Sequence, residues 1–339
     1  MRRILHLVGS PTSQFWADLS LVYARGALGA LGSDHDFVNL VVMPDGTWRF
    51  AEDLSNGEIE AAPPCKPGEA IDRVLEMRPD CVLPQMFCHR GMVDYRAMFE
   101  GMGLPLLGNR AEVMAICADK ALTKSVINGA GIATPRSETL KPGDTVTMTP
   151  PFIVKPAIAD NSEGITLVET AGQVAGALEQ AFARGSRVIV EAYIAPGREV
   201  RAGVVEIDGD IVALPLEEYR IDRQTRPIRR AEDKLSSAPA GGLKLMAKTA
   251  EEAWIVPEDD PLTQRVQRVA LACHHALGCR DYSLFDFRID DAGRPWFLEA
   301  GPYCSFAPDS VLVTMMEAKG HRLSYFFADA VDRIAARND

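Results

Sequence analysis

Residues 281–308 read DYSLFDFRIDDAGRPWFLEAGPYCSFAP. Two alternating runs of aromatic and branched residues flank Asp290-Asp291-Ala292-Gly293, a turn composition that predicts a β-hairpin. If the strands pivot about Ala292 and Gly293, residues whose numbers share one sum face each other, and Asp286 lies opposite Glu299. Like charges in that position repel. A shared proton, an intervening basic side chain or a bridging divalent cation would each relieve the repulsion. The rest of the chain decides among them.

The chain has 339 residues, 47% of them hydrophobic and 24% charged, with a formal net charge of -11. That length holds roughly two or three domains and a substantial core. A negative chain has no overall attraction for nucleic acid or anionic lipid, so neither partner is expected. MRRILHLVGS reads as a buried first strand rather than a signal segment, and no run reaches transmembrane length. Seven scattered cysteines predict free thiols in a reducing cytoplasm, with no disulfides.

Outward from the hairpin, strand and helix patterns alternate through the first hundred or so residues: RILHLVG, an amphipathic run from Phe15 to Leu31, DFVNLVVM, a helix near Ala70–Met77, CVLPQMF and a helix near Tyr95–Met102. This predicts a parallel α/β layer over residues 1–110. A central subdomain follows over 111–190, with the strands FIVKPA, ITLVET and RVIVEAYI, and a C-terminal subdomain over 191–339. Within the latter, 220–249 is too long and polar for a simple connection. Its many lysines and arginines, Lys234 among them, suit either a solvated loop or a cationic lid over phosphates.

Four features carry chemistry, in chain order. Lys120 opens a helix in ADKALTK. Lys155 stands in the apolar strand FIVKP, where an ammonium needs an anion, and is followed by DNSEG, whose backbone amides around Ser162 and Gly164 suit phosphates. Glu191 and Glu199 flank a hinge in VIVEAYIAPGREVR and suit an amino group and a ribose hydroxyl. Asp286 and Glu299 come last. Singly, each has a structural explanation; their order is the signal.

Other residues are candidates with plain alternatives. His89, with Arg90, Tyr95 and Arg96, follows a strand at its carboxyl end, where open α/β sheets bind ligands; local packing is the alternative. Arg201 is a phosphate contact or a surface cation, and Ser310 an acceptor-carboxylate contact or a simple helix cap. Cys273, His274, His275 and Cys279 do not converge on one helical face, which argues against a metal cluster. GSPTS lacks the spacing of a dinucleotide fingerprint.

Together these stretches resemble the ATP-grasp superfamily, and the resemblance is similar in detail to its D-alanine–D-alanine ligase branch: GSPTSQFWADLSL, GLPLLGN with ADKALTK, FIVKPAIADNSEG and FDFRIDDAGRPWFLEAG. It implies an N-terminal α/β layer plus two subdomains clasping ATP and one or two Mg²⁺ ions, with Mn²⁺ an alternative. It implies phosphate contacts for Lys120, Lys155 and the lid residue Lys234, adenosine contacts for Glu191 and Glu199, metal ligation by Asp286 and Glu299, and amine reception near Asp18. Small-molecule acid and amino-acid substrates and a homodimer are also implied.

Two positions depart from that branch. Gly301 stands where its ligases place a metal-binding Asn, and Leu284 where they place an arginine that helps hold the acyl intermediate. LPQMFC, GREVR, LPLEEY and WFLEAGPYCSFAP also look like the ATP-grasp ligases of mycosporine-like amino acid biosynthesis. That resemblance implies attack of a vinylogous acid, such as mycosporine-glycine, on ATP and displacement of phosphate by an amino-acid amine. D-alanyl-D-alanine synthesis, another amino-acid ligation and a catalytically silent ATP-binding protein are the alternatives.

Overall fold

The computed structural model describes residues 1–32, 34–158, 164–195, 197–222, 225, 227–228, 235–237, 243–245 and 251–337. Ser162, Lys234 and most of the basic residues expected of a lid lie outside them. Of that segment, the strands Leu235–Ser237 and Leu243–Leu245 are described, paired antiparallel.

Buried branched residues build the first sheet, in the order Pro64–Cys65, Trp48–Ala51, Asp36–Val42, Arg3–Gly9, Cys81–Pro84. Arg3–Gly9 runs parallel to Asp36–Val42 and to Cys81–Pro84, as the sequence predicts. The outer strands Trp48–Ala51 and Pro64–Cys65 join antiparallel and carry no prediction from the sequence. Asp45, Gly46 and Thr47 explain the first of them: Gly46 takes φ +85 and Asp45 Oδ1 accepts from the Thr47 amide, which is short-turn chemistry. Trp48 then turns inward and stacks over Phe99 at 6.4 Å.

The second sheet is wholly antiparallel, in the order Ser137–Leu140, Val188–Ala192, Phe152–Pro156, Thr166–Val168. Ala177 and Ala181 of the helix Val174–Phe182 pack on Phe152, Val154, Val188 and Val190. Small helix residues allow that close approach.

The third sheet follows the path Ala253–Ile255, Glu217–Tyr219, Arg198–Ile207, Tyr282–Ile289, Pro295–Ala300, with Asp210–Ala213 also paired to Arg198–Ile207. Strand alternation gives it two different faces. Val200, Ala202, Val204, Phe285, Phe287 and Ile289 share one core with the helix Pro261–Leu277 and with Val113, Cys117 and Ile127 of the preceding helices. On the opposite face, Tyr282, Leu284 and Val205 enter another core, while Glu199, Arg201, Asp286 and Arg288 continue the same rows as charges.

That other core is shared across the chain. Ile4, Leu83 and Leu107 of the first layer pack with Leu312 and Phe326 of the last two helices, Val311–Ala318 and Leu323–Ala336. Asn109 pins the seam. Its Nδ2 donates to the carbonyls of Tyr282 and Pro302 at 2.7 and 2.9 Å, and its Oδ1 accepts from the Arg280 amide at 2.8 Å.

The hairpin reaches its register by a different path from the one expected. Its loop is closed by the Asp290 amide on the Arg294 carbonyl at 3.1 Å, with Gly293 at φ +74. Ile289 pairs with Pro295, Arg288 with Trp296 and Phe287 with Phe297, one residue off the expected sum. Leu298 is then an extra residue, and beyond it Asp286 pairs with Glu299 and Phe285 with Ala300. A single inserted residue shifts the strand and re-aims the side chains beyond it. The facing acids are real, and a bulge puts them there.

Asn109→Ala should lower stability by about 2–4 kcal/mol, because it strands buried backbone groups at the seam; urea titration would show a lower midpoint at unchanged slope. Burial pushes the imidazoles of His6 and His274 down to about 4. Neutral when folded but protonated near the ordinary 6.5 when unfolded, each costs about 1.4 kcal/mol of stability per pH unit as pH falls from 6.5 toward 4. Thermal melts should fall across that window, and His274→Gln should remove one share of the slope.

Candidate active site

A cleft opens between the second and third sheets, lined by residues of both. Ile153, Ile165, Ile194 and Leu298 give it apolar walls. Lys155, Glu191, Glu199, Asp286, Arg288 and Glu299 place charge within it.

On the floor, strand alternation turns Lys155 and Glu191 toward one another across neighbouring strands. Lys155 Nζ donates to Glu191 Oε1 at 2.7 Å. Lys124 Nζ lies 2.7 Å from Glu191 Oε2. Burial alone would raise the Glu191 carboxyl, but the two ammonium groups outweigh it and hold its pKa at about 2. Lys155 thus finds the anion that its apolar strand demands, and that anion is a protein carboxylate. Lys124 was missed by sequence reasoning. Its signal was the four-residue spacing from Lys120, with Thr123, Lys124 and Ile127 forming the buried stripe of the helix Lys120–Gly129.

On the opposite wall, cross-strand pairs alternate in sign. Arg288 faces Glu199 and donates to its Oε2 at 2.5 Å, and Arg201 faces Asp286 and binds both its oxygens. Burial would lower the pKa of Arg201, yet Asp286 more than offsets it and keeps the guanidinium charged. Arg288 also donates to the Pro227 carbonyl at 3.1 Å, joining the wall to the start of the expected lid. It too was missed, although it shares the face of Asp286 two residues on. Arg201 is therefore no surface cation.

Lys120 stands at its helix start because Asp119 caps it, accepting from the amides of Ala121 and Leu122. Its Nζ reaches to 3.8 Å from Glu299 Oε2. Both facing acids thus have cationic neighbours, Arg201 for Asp286 and Lys120 for Glu299. Of the three ways to relieve their repulsion, a basic side chain is therefore present beside each acid. The pair still fits a hard divalent ion, since magnesium is commonly held by one or two carboxylates plus phosphate oxygens. Gly301 adds no side-chain ligand. Gly164 packs on the second-sheet unit, where at φ +70 an added Cβ would come within 3.0 Å of Arg184 Cδ and 3.1 Å of Pro156 Cγ.

Other candidates are not brought into the cleft. Asp18 accepts from Gln14 Nε2 at 2.8 Å on the first helix, Gln14–Leu31. His89 is exposed. Arg96 is buried and donates to the carbonyls of Leu107 and Asn109, and Tyr95 packs on Trp48, so for these two the packing alternative holds. Ser310 occupies a helix N-cap position without capping, and its buried Oγ has no partner among the described residues.

A family profile described as "D-ala D-ala ligase C-terminus" matches residues 134–332. The chain is 30% identical to the vancomycin/teicoplanin A-type resistance protein VanA of Enterococcus faecium, over 70% of this chain and 66% of that protein. It is 28% identical to a putative D-alanine–D-lactate ligase of Streptomyces coelicolor, over 86% of this chain and 85% of the other. Its fold is that of the D-alanine–D-alanine ligase of Bacillus anthracis complexed with ATP, with a TM-score of 0.73 and 20% identity, covering 99% of this chain and 98% of that one. A profile matching more than half its length, laid over a cleft of this construction, places the chain in the D-alanine–D-alanine ligase family of ATP-grasp enzymes.

Proposed function

We propose that the protein uses ATP to activate a carboxylic acid as an acyl phosphate and passes the acyl group to an amine, with release of ADP and phosphate. The observation that carries this reading is the facing pair Asp286 and Glu299, set in one cleft with Lys155 and with Lys120 Nζ 3.8 Å from Glu299. A carboxylate attacking a phosphate brings anion to anion, so cations must gather where the charge develops. Lys120 and Lys155 hold the phosphates, and Glu191 and Glu199 orient the adenosine. Asp286 and Glu299 hold magnesium or manganese, which supplies neutralisation of the phosphate charge when bound. Lys234 and Ser162 keep the phosphate roles that the family resemblance implies.

The relatives are named for D-alanine and D-lactate chemistry, which favours a D-amino acid over the vinylogous acid of mycosporine-glycine as the activated substrate. Leu284 argues the other way, being buried in the apolar core where the branch carries an arginine. Arg201 answers part of that objection. It comes from the neighbouring strand to the side of Asp286, and it is positioned to hold an acyl phosphate in place of the missing cation. The vinylogous acid therefore stands as the second reading.

ADP release should appear with ATP, magnesium and D-alanine, alone or with a second amine or hydroxy acid. Turnover only with mycosporine-glycine plus an amino acid, followed by ultraviolet absorbance and mass, would replace the first reading by the second. Glu299→Ala should lower turnover by about 10²-fold or more; full turnover in that variant would remove the metal assignment.

A further inference from the structure

Two ammonium groups converge on one carboxylate at the floor of the cleft, and all three side chains are about 95% buried, with exposures of 5% for Lys124, 6% for Lys155 and 5% for Glu191. The cluster therefore carries a buried net positive charge. Its members are held differently. Lys155 and Glu191 line the cleft. Lys124 is set behind them, donating to Thr134 Oγ1 at 2.8 Å, while the Thr134 hydroxyl donates to the Phe297 carbonyl at 3.1 Å. Glu191 Oε2 is ion-paired with Lys124 but receives no donor in hydrogen-bonding geometry among the described residues.

This arrangement bears on how Lys155 reaches a phosphate. Turning its ammonium from Glu191 to a ligand would, in a simple two-residue pair, strand a buried carboxylate, and breaking a buried pair from one side is strongly unfavourable. With a third charge in place, the carboxylate keeps a counter-ion when Lys155 leaves. Two lysines on one acid also leave an excess positive charge, which Glu299 offsets only from a distance and which favours an anionic ligand.

We propose that Lys124 is a positioning residue that frees Lys155 for the nucleotide, by staying on Glu191 while the Lys155 ammonium moves to a phosphate oxygen. This rests on the reading that the cleft takes ATP. Without Lys124, Glu191 and Lys155 form a closed neutral pair, and the nucleotide must compete with the carboxylate for the Lys155 ammonium.

Calorimetric binding of ATP and of adenosine, with magnesium and without any acid substrate, tests this on the full chain. The ratio of the two affinities isolates the contribution of the phosphates. Lys124→Met should lower that ratio by at least about tenfold, while adenosine binding changes little. Glu191→Gln keeps the shape and one acceptor oxygen but has no charge to hold Lys155; any loss of its adenosine contact lowers both affinities alike and cancels in the ratio, so the double variant Lys124→Met/Glu191→Gln should return the ratio to within about threefold of the wild type. Equal losses for ATP and adenosine in Lys124→Met, or a double variant no better than the single one, would overturn the proposal. If Lys124→Met does not fold, Lys124→Gln, which removes the charge but keeps a donor for Thr134, takes its place: a ratio at least about tenfold lower supports the role, and an unchanged ratio overturns it. Failure of the wild-type protein to bind ATP would instead remove the reading of the cleft itself.

Discussion

The antiparallel pairing of Arg198–Ile207 with Tyr282–Ile289 is the contact on which both core and cleft depend. At one end it delivers Val205 and Leu284 to the core shared with the first layer and the last helices. At the other it sets Glu199 against Arg288 and Arg201 against Asp286. Opposite charges across neighbouring strands favour each other, so each pair supports the register that creates it. A slip of one residue would turn the charges into the apolar core and the aromatics into the cleft. Few errors of pairing would be more costly, and the pattern itself specifies against them.

Much of this was legible in the sequence. The hairpin followed from alternation and turn composition, and Lys155 from the cost of an ammonium in an apolar strand. The bulge at Leu298 was not legible, because turn length and an inserted residue compensate: the facing pair comes out the same by simple counting. Lys124 was hidden by its helix. A lysine four residues from another reads as a solvated face until the partner carboxylate, 67 positions later, is known. Arg96 shows the opposite error. A charged residue at the carboxyl end of a sheet suggested ligand contact, but its guanidinium serves carbonyls of the chain following its own helix. The strands Trp48–Ala51 and Pro64–Cys65 are short and partly exposed, and edge strands of that kind carry little periodic signal.

The cleft's electrostatics are built from paired charges rather than isolated ones. Each acid on its walls and floor has a basic neighbour: Glu191 two lysines, Glu199 Arg288, Asp286 Arg201 and Glu299 Lys120. Such a site is prepared for an anionic ligand by exchange of partners, without first exposing bare charge. Leu284 fits within this scheme, and nothing in the structure explains Gly301. Leu284 belongs to the apolar half of its strand face, so cationic duty beside Asp286 falls to Arg201 on the adjacent strand.

The core uniting Ile4 and Leu83 with Phe326 and Phe327 has a mechanical consequence. It fastens the beginning and end of the chain into one body, whereas the core of the second sheet draws only on residues between 140 and 192. The Lys124–Glu191 ion pair crosses between the two, because Lys124 stands on the helix Lys120–Gly129, outside the smaller core, while Glu191 and Lys155 stand on the strands within it; the buried charge at the floor is therefore also a fastening between separately built parts.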